Sequence, residues 1–143
     1  MQVKILIEGT DQDGIKSISE NFAIMSEEKN GYRLAYSEDL SGEGILTETT
    51  MFISSTELRI IRRGELESDF IYSNDLTHNT SYKTAFGIIP LTLITNSFEY
   101  LDMLKDNDSH LKINTSYTID MGDSLMPPAV MDMKIIINLL EDC

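Results

Sequence analysis

The sequence is poor in the residues that disulfides and nucleic-acid surfaces require. Its one cysteine is Cys143, at the last position, so no internal disulfide can form and a reducing compartment is expected. Lysine and arginine total 11 against 24 aspartates and glutamates, for a formal net charge of −13. Because nucleic acids and anionic lipids attract basic proteins, this charge predicts no nucleic-acid partner and no membrane partner.

Long apolar runs are also missing. The N-terminal segment 1–8 alternates apolar with polar or charged residues, unlike the core of a signal peptide. No segment approaches the roughly 20 apolar residues of a membrane helix. We therefore expect a cytoplasmic protein. A chain of 143 residues has the length of one domain, so residues 1–143 are predicted to form a single domain.

Two-residue alternation is the dominant pattern. Within 110–121, Leu111, Ile113 and Tyr117 share one parity and polar residues occupy the other, as in a strand with one buried face. Similar alternation recurs along the chain, and it includes Ile18, Phe22 and Ile24, which form the apolar set of their segment. By the same logic we expect this apolar set to face the interior.

Turn-forming residues separate these segments. Asn30-Gly31 predicts a tight hairpin, because both residues tolerate the positive φ of a type I′ turn. Residues 11–14, with the sequence DQDG, resemble the start of a calcium loop, but Phe22 stands where that loop needs glutamate, so a hairpin turn is expected. About ten strands joined in this way predict an all-β sandwich or barrel, and closure into an antiparallel barrel removes exposed edges.

Catalytic and metal-binding patterns are weak. The two histidines, His78 and His110, lie among polar residues, and no serine occupies a Gly-x-Ser-x-Gly elbow. We predict no catalytic residue, no metal site and no cofactor, and hence a protein that is not an enzyme. The oligomeric state does not follow from the sequence.

An arginine is predicted to point into the barrel. Arg62 shares parity with Leu58 and Ile60, so it faces inward if they do. A buried guanidinium requires an anion. That anion can be the carboxylate of a ligand or an internal aspartate or glutamate, and the side chain can also extend to the rim of the barrel.

Four further residues complete a candidate ligand site with Arg62. Tyr82, Thr84 and Phe86 share one parity and are expected to face the same way, and Tyr117 lies on the apolar face of the clearest strand. Hydroxyl groups of tyrosine and threonine could hydrogen-bond a polar head group that Arg62 neutralises. The same aromatic residues could instead fill an ordinary core.

The segment Tyr82–Gly87 (YKTAFG) resembles the bacterial YwiB-like family. Arg62-Arg63-Gly64 upstream, Leu111–Tyr117 (LKINTSY) and the closing Met133–Ile137 (MKIII) fit the same pattern. Ala85 replaces the proline often found before the aromatic-glycine pair, and the tryptophan of many lipocalin first strands is absent. The resemblance implies a calycin-like (lipocalin-like) antiparallel barrel in a cytoplasmic bacterial setting, and it implies no enzymatic activity.

Two functions remain open at this point. In the first, the barrel of about eight to ten strands binds a small, partly apolar or anionic molecule. In the second, the interior is packed and the protein is a structural or protein-interaction module.

Overall fold

Ten antiparallel strands close into one barrel in the computed structural model, which describes residues 1–40, 42–104, 109–122 and 127–140. Cys143 lies outside the described residues. Each strand pairs with its neighbours in sequence, and β1 also pairs with β10. The strands are β1 Gln2–Thr10, β2 Lys16–Glu28, β3 Gly31–Glu38, β4 Thr47–Ser54, β5 Leu58–Arg63, β6 Glu67–Tyr72, β7 Thr77–Thr84, β8 Gly87–Asp102, β9 His110–Asp120 and β10 Ala129–Leu139.

The predicted fold class, an all-β antiparallel barrel of about ten strands, is confirmed. No helix occurs among the described residues. In particular, none of them forms a helix with the length and apolarity that crossing a membrane requires. Because successive strands alternate in direction, the barrel has two ends. The lower end carries the N-terminus and the β2–β3 turn, and the upper end carries the β1–β2, β5–β6 and β7–β8 turns.

The lower interior is a packed apolar core. Inward-facing side chains from every strand except β7 contribute to it, since alternate residues of each strand point to the same face. Burying each such side chain contributes roughly 1.5–3 kcal/mol. The side chains with no exposed surface are Val3, Ile5, Leu34, Met51, Leu58, Leu93, Leu111, Ile113, Ile135 and Ile137.

The predicted inward face of β2 is wrong. Phe22 is 69% exposed and Ile18 and Ile24 are exposed as well, whereas Ala23 and Met25 are buried. The register with β1 sets this choice, because Val3 is buried and pairs with Ala23. A one-residue shift of register would exchange the two faces, so the neighbouring strand decides where the local apolar pattern does not.

The hairpin at Asn30-Gly31 is confirmed, but its predicted turn type is wrong. Glu28 pairs with Gly31 across a two-residue turn, and neither Asn30 nor Gly31 has the positive φ of a type I′ turn. Gly31 is required for space instead. A Cβ atom at this position would lie 1.8 Å from the backbone oxygen of Ile53 on β4.

A bulge in β8 explains the irregular pattern of this strand. The register with β9 shifts between Thr95 and Ser97, so Thr95 and Phe98 both lie on the buried side although their parity differs. Thr115 donates a hydrogen bond of 2.8 Å to the Ser97 carbonyl oxygen at the bulge. Beyond the bulge, β8 continues as far as Asp102.

Strands β2 and β3 separate in the upper half of the barrel. Their register runs from Glu28 with Gly31 up to Ile24 with Ala35, although both strands continue beyond that point. Ser17 and Ser19 share parity with the buried Ala23, yet both are exposed. The upper interior is therefore less enclosed than the lower interior.

Candidate functional site

Polar side chains are concentrated in the upper interior of the barrel. Tyr36 of β3 pairs with Thr49 of β4, Thr49 pairs with Arg62 of β5, and Arg62 pairs with Ser68 of β6. Paired residues lie on the same face, so these four side chains form one inward-facing row. Glu38 and Thr47 pair one layer higher. We call the following six residues the interior polar cluster: Tyr36, Glu38, Thr47, Thr49, Arg62 and Ser68.

The inward direction of Arg62 is confirmed, and its partner is an internal carboxylate. Arg62 Nε donates to Glu38 Oε2 at 3.4 Å, with 21% of the arginine side chain and 6% of the glutamate side chain exposed. The Thr49 hydroxyl donates to the same carboxylate oxygen at 2.5 Å. The charge of Arg62 is therefore balanced within the protein by an internal glutamate, which is one of the alternatives that the sequence left open.

Three buried hydroxyl groups in this cluster have no hydrogen-bond partner among the residues that the structure describes. They belong to Tyr36, Thr47 and Ser68, all less than a tenth exposed. Buried polar atoms are satisfied in the great majority of cases, by protein or by ordered water. These three hydroxyls next to one ion pair therefore offer hydrogen-bonding capacity to a polar molecule or to ordered water.

The charge of Arg62 influences the pKa values of three tyrosines on different strands of the barrel. Burial raises the pKa of Tyr36, and Arg62 acts in the opposite direction. Burial likewise raises the pKa values of Tyr72 and Tyr117, and Arg62 again opposes the shift. The rings of Tyr72 and Tyr117 meet edge to face at 5.0 Å. Tyr117 thus contacts Tyr72, and the positive charge of Arg62 lowers the pKa of Tyr117 against the effect of burial.

Of the remaining predicted site residues, Tyr82 lies in the wall of the barrel, and Thr84 and Phe86 lie at the β7–β8 turn. Tyr82 pairs with Ser68, is half-buried, and stacks on Phe70 at 6.2 Å, so it extends the polar row. Thr84 caps the β7–β8 turn, where its hydroxyl accepts from the backbone N–H of Phe86. Phe86 is 101% exposed at the tip of that turn, so its predicted inward position is wrong.

An apolar cleft on the outside of the barrel shares one residue, Tyr36, with this cluster. It has a volume of about 510 Å³ and lies along β2 and β3 near the point where the two strands separate. Its lining mixes outward-facing residues with Ala23 and Tyr36, which face inward. The lining residues are Gln2, Phe22, Ala23, Ile24, Ala35, Tyr36 and Leu140. Tyr36 therefore lines the cleft, while its hydroxyl is buried in the interior polar cluster.

Glu38 is a residue of the cluster that was not predicted from the sequence. Its parity was informative, because Glu38 continues the series Tyr32, Leu34 and Tyr36, all of which are buried. An acidic residue at the inward position of a strand requires a basic partner. Arg62 is the cation for which the parity of β5 predicts an inward position.

Comparison with known proteins identifies the family. A family profile described as "Domain of unknown function (DUF1934)" matches residues 2–134, which is most of the chain. The chain belongs to the DUF1934 family. The DUF1934 barrel is similar to the crystal structure of the ywiB protein from Bacillus subtilis, with a TM-score of 0.77 and 18% sequence identity over 98% of this chain and 92% of that one.

The structural match shows that the DUF1934 chain shares the barrel fold of that protein, in agreement with the resemblance found in the sequence. No curated protein matches the chain.

Proposed function

We propose that this DUF1934 protein is a cytoplasmic, non-enzymatic binding protein for a small amphipathic molecule. The polar head group of the ligand lies on the interior polar cluster, and its apolar part lies in the cleft between β2 and β3. The observation that carries the proposal is the set of three buried hydroxyls without partners, on Tyr36, Thr47 and Ser68. A bound head group would satisfy them.

The size and lining of the cleft fit such a ligand. Pockets for small molecules have volumes of about 300–1,000 Å³ and are lined mainly by apolar side chains with a few polar groups. The cleft of about 510 Å³ meets both conditions, since Phe22, Ile24 and Leu140 line it together with the polar side chain of Gln2. In this proposal the exposed apolar side chains of β2 form one wall of the binding site.

Binding without catalysis is supported by the position of His78. Its Nε2 lies 3.1 Å from the backbone oxygen of Asp69, so the ring contacts a carbonyl rather than a hydroxyl that it could activate. The interior polar cluster itself contains hydroxyls, one guanidinium and one carboxylate. This is a set suited to holding a head group by hydrogen bonds.

Two variants separate ligand binding from stability. Tyr36→Phe and Ser68→Ala each remove a buried hydroxyl without a partner, so the free energy of unfolding should stay the same or rise. Each should weaken binding of decan-1-ol by about threefold to tenfold in calorimetric titration, because a hydrogen bond to the ligand is lost. Native mass spectrometry of the freshly purified wild-type protein should show a small-molecule adduct that denaturation releases.

The matched control is Tyr100→Phe, at the opposite end of the barrel. The Tyr100 hydroxyl donates to Asp102 at 3.2 Å, so this change should lower stability and leave decan-1-ol binding unchanged. The proposal is wrong if the purified protein carries no adduct and titration with decan-1-ol, decanamide and decanoate gives no binding heat. Equal binding by the wild-type and Tyr36→Phe proteins would also exclude the interior polar cluster.

A protein-interaction module is the second candidate function, and the β7–β8 turn favours it. Phe86 is fully exposed in the turn and Ile88, just beyond it on β8, is 66% exposed, so the two offer an exposed apolar pair to a partner. Phe86→Ser should change the free energy of unfolding by less than about 0.5 kcal/mol, because the ring is exposed. If this turn mediates self-association, light scattering should show an oligomer for the wild type and a monomer for the variant. A wild-type monomer would contradict self-association.

A further inference from the structure

The interior polar cluster is already neutral. It contains one positive group, the Arg62 guanidinium, and one negative group, the Glu38 carboxylate, whose contact is 3.4 Å long. Glu38 is 6% exposed, so water screens its charge poorly. A ligand that carries a negative charge would have to share Arg62 with Glu38 and place two like charges in one enclosed space. Such juxtaposition is strongly unfavourable.

The three orphaned hydroxyls suit an uncharged head group instead. Each hydroxyl of Tyr36, Thr47 and Ser68 can donate one hydrogen bond and can also accept. A carboxamide has a carbonyl oxygen that accepts and an NH₂ group that donates twice. Its carbonyl can therefore receive hydrogen bonds from hydroxyls or from Arg62, while its NH₂ group donates to a hydroxyl or to Glu38. A carboxylate can only accept.

We propose that Glu38 is the specificity-determining residue of this site and that it selects amphipathic ligands with an uncharged head group of the carboxamide type over the corresponding carboxylates. This inference rests on the proposed binding function. An inward arginine without a known partner suggests an anionic ligand. Because Glu38 already pairs with Arg62, an uncharged ligand is expected instead.

The test compares decanamide with decanoate, two ligands with the same chain length and different head-group charge. The calorimetric titration is made at about pH 8, where decanoate is ionised. The wild-type protein should bind decanamide more tightly than decanoate by a factor of at least about ten. Glu38→Gln keeps the shape of the side chain and leaves the charge of Arg62 unbalanced. In this variant the preference should move toward decanoate by at least about tenfold.

Glu48→Gln is the control for net charge. Glu48 lies on β4 with its side chain exposed, so the substitution makes the same change in total charge outside the barrel. It should leave the ratio of the two affinities unchanged. Circular dichroism establishes that each variant is folded, and if Glu38→Gln does not fold, a wild-type protein that binds decanoate as tightly as decanamide still overturns the inference.

The outcomes separate this inference from the function on which it rests. Decanoate binding the wild type as tightly as decanamide, or an unchanged ratio in folded Glu38→Gln, overturns the selection by Glu38 and leaves ligand binding in place. Absence of binding for decan-1-ol, decanamide and decanoate in every protein overturns the binding function and, with it, this inference.

Discussion

Replacing Arg62 with leucine is expected to lower the free energy of unfolding by about 3 kcal/mol, because Glu38 would be left as a buried charge without its partner. Breaking a buried ion pair in this way generally has an effect of about 3–5 kcal/mol. The lower value applies here since 21% of the Arg62 side chain is exposed and part of its charge is already screened. Urea denaturation followed by circular dichroism measures the change.

The double variant R62L/E38L tests the cause. Removing both members of a buried pair is often neutral or stabilising, because neither charge then lacks a partner. We expect the double variant to recover most of the stability that Arg62→Leu loses. A double variant as unstable as Arg62→Leu would show that packing of the arginine stem, rather than the unpaired carboxylate, accounts for the loss.

Replacing Gly31 with alanine is expected to lower the free energy of unfolding by about 3 kcal/mol, an effect at the upper end of those caused by overpacking. The added Cβ would lie 1.8 Å from the Ile53 carbonyl oxygen and 2.8 Å from its carbon. Both are backbone atoms of a strand that pairs with β3 and β5, so they cannot move as a side chain can. Urea denaturation measures the loss.

Gly9→Ala is the matched control for this substitution. Gly9 also lies in a strand, and the nearest atom to its added Cβ would be the Ser17 hydroxyl oxygen at 3.1 Å, the end of a flexible side chain. Its effect should be clearly smaller than that of Gly31→Ala. Similar losses for the two variants would contradict the steric explanation and point to a general preference for glycine in these strands.

The strand count could be predicted because it depends on local alternation, whereas closure into a barrel followed from the removal of exposed edges and from the family resemblance. Strand β9 shows this best, since its apolar and polar residues alternate almost without exception. The inward direction of Arg62 followed from the same rule applied to Leu58 and Ile60. The rule failed for β2, where Phe22 and Ile24 look like the buried set. There the register with β1 overrides the pattern, and register is a property of two strands.

Contacts between distant residues limited the prediction of the site. Glu38 and Arg62 are separated by 24 positions and meet only because β4 lies between β3 and β5. The sequence therefore indicated that Arg62 needs an anion without indicating which anion. Phe86 was misplaced for a different reason. The alternation that includes Tyr82 and Thr84 ends at a two-residue turn, and parity has no meaning beyond the last residue of a strand.

The separation of β2 from β3 also affects how copies of the protein meet in solution. Residues 16–23 of β2 pair with β1, while the β3 register begins only at Ile24, so this stretch offers backbone groups on one side. An exposed strand edge of this kind invites pairing with another chain. Lys16 lies on the edge, and each copy carries a net charge of −13, so like-charge repulsion acts before two edges can align. Colloidal stability of this barrel therefore depends on its acidity, and salt that screens the repulsion weakens the protection.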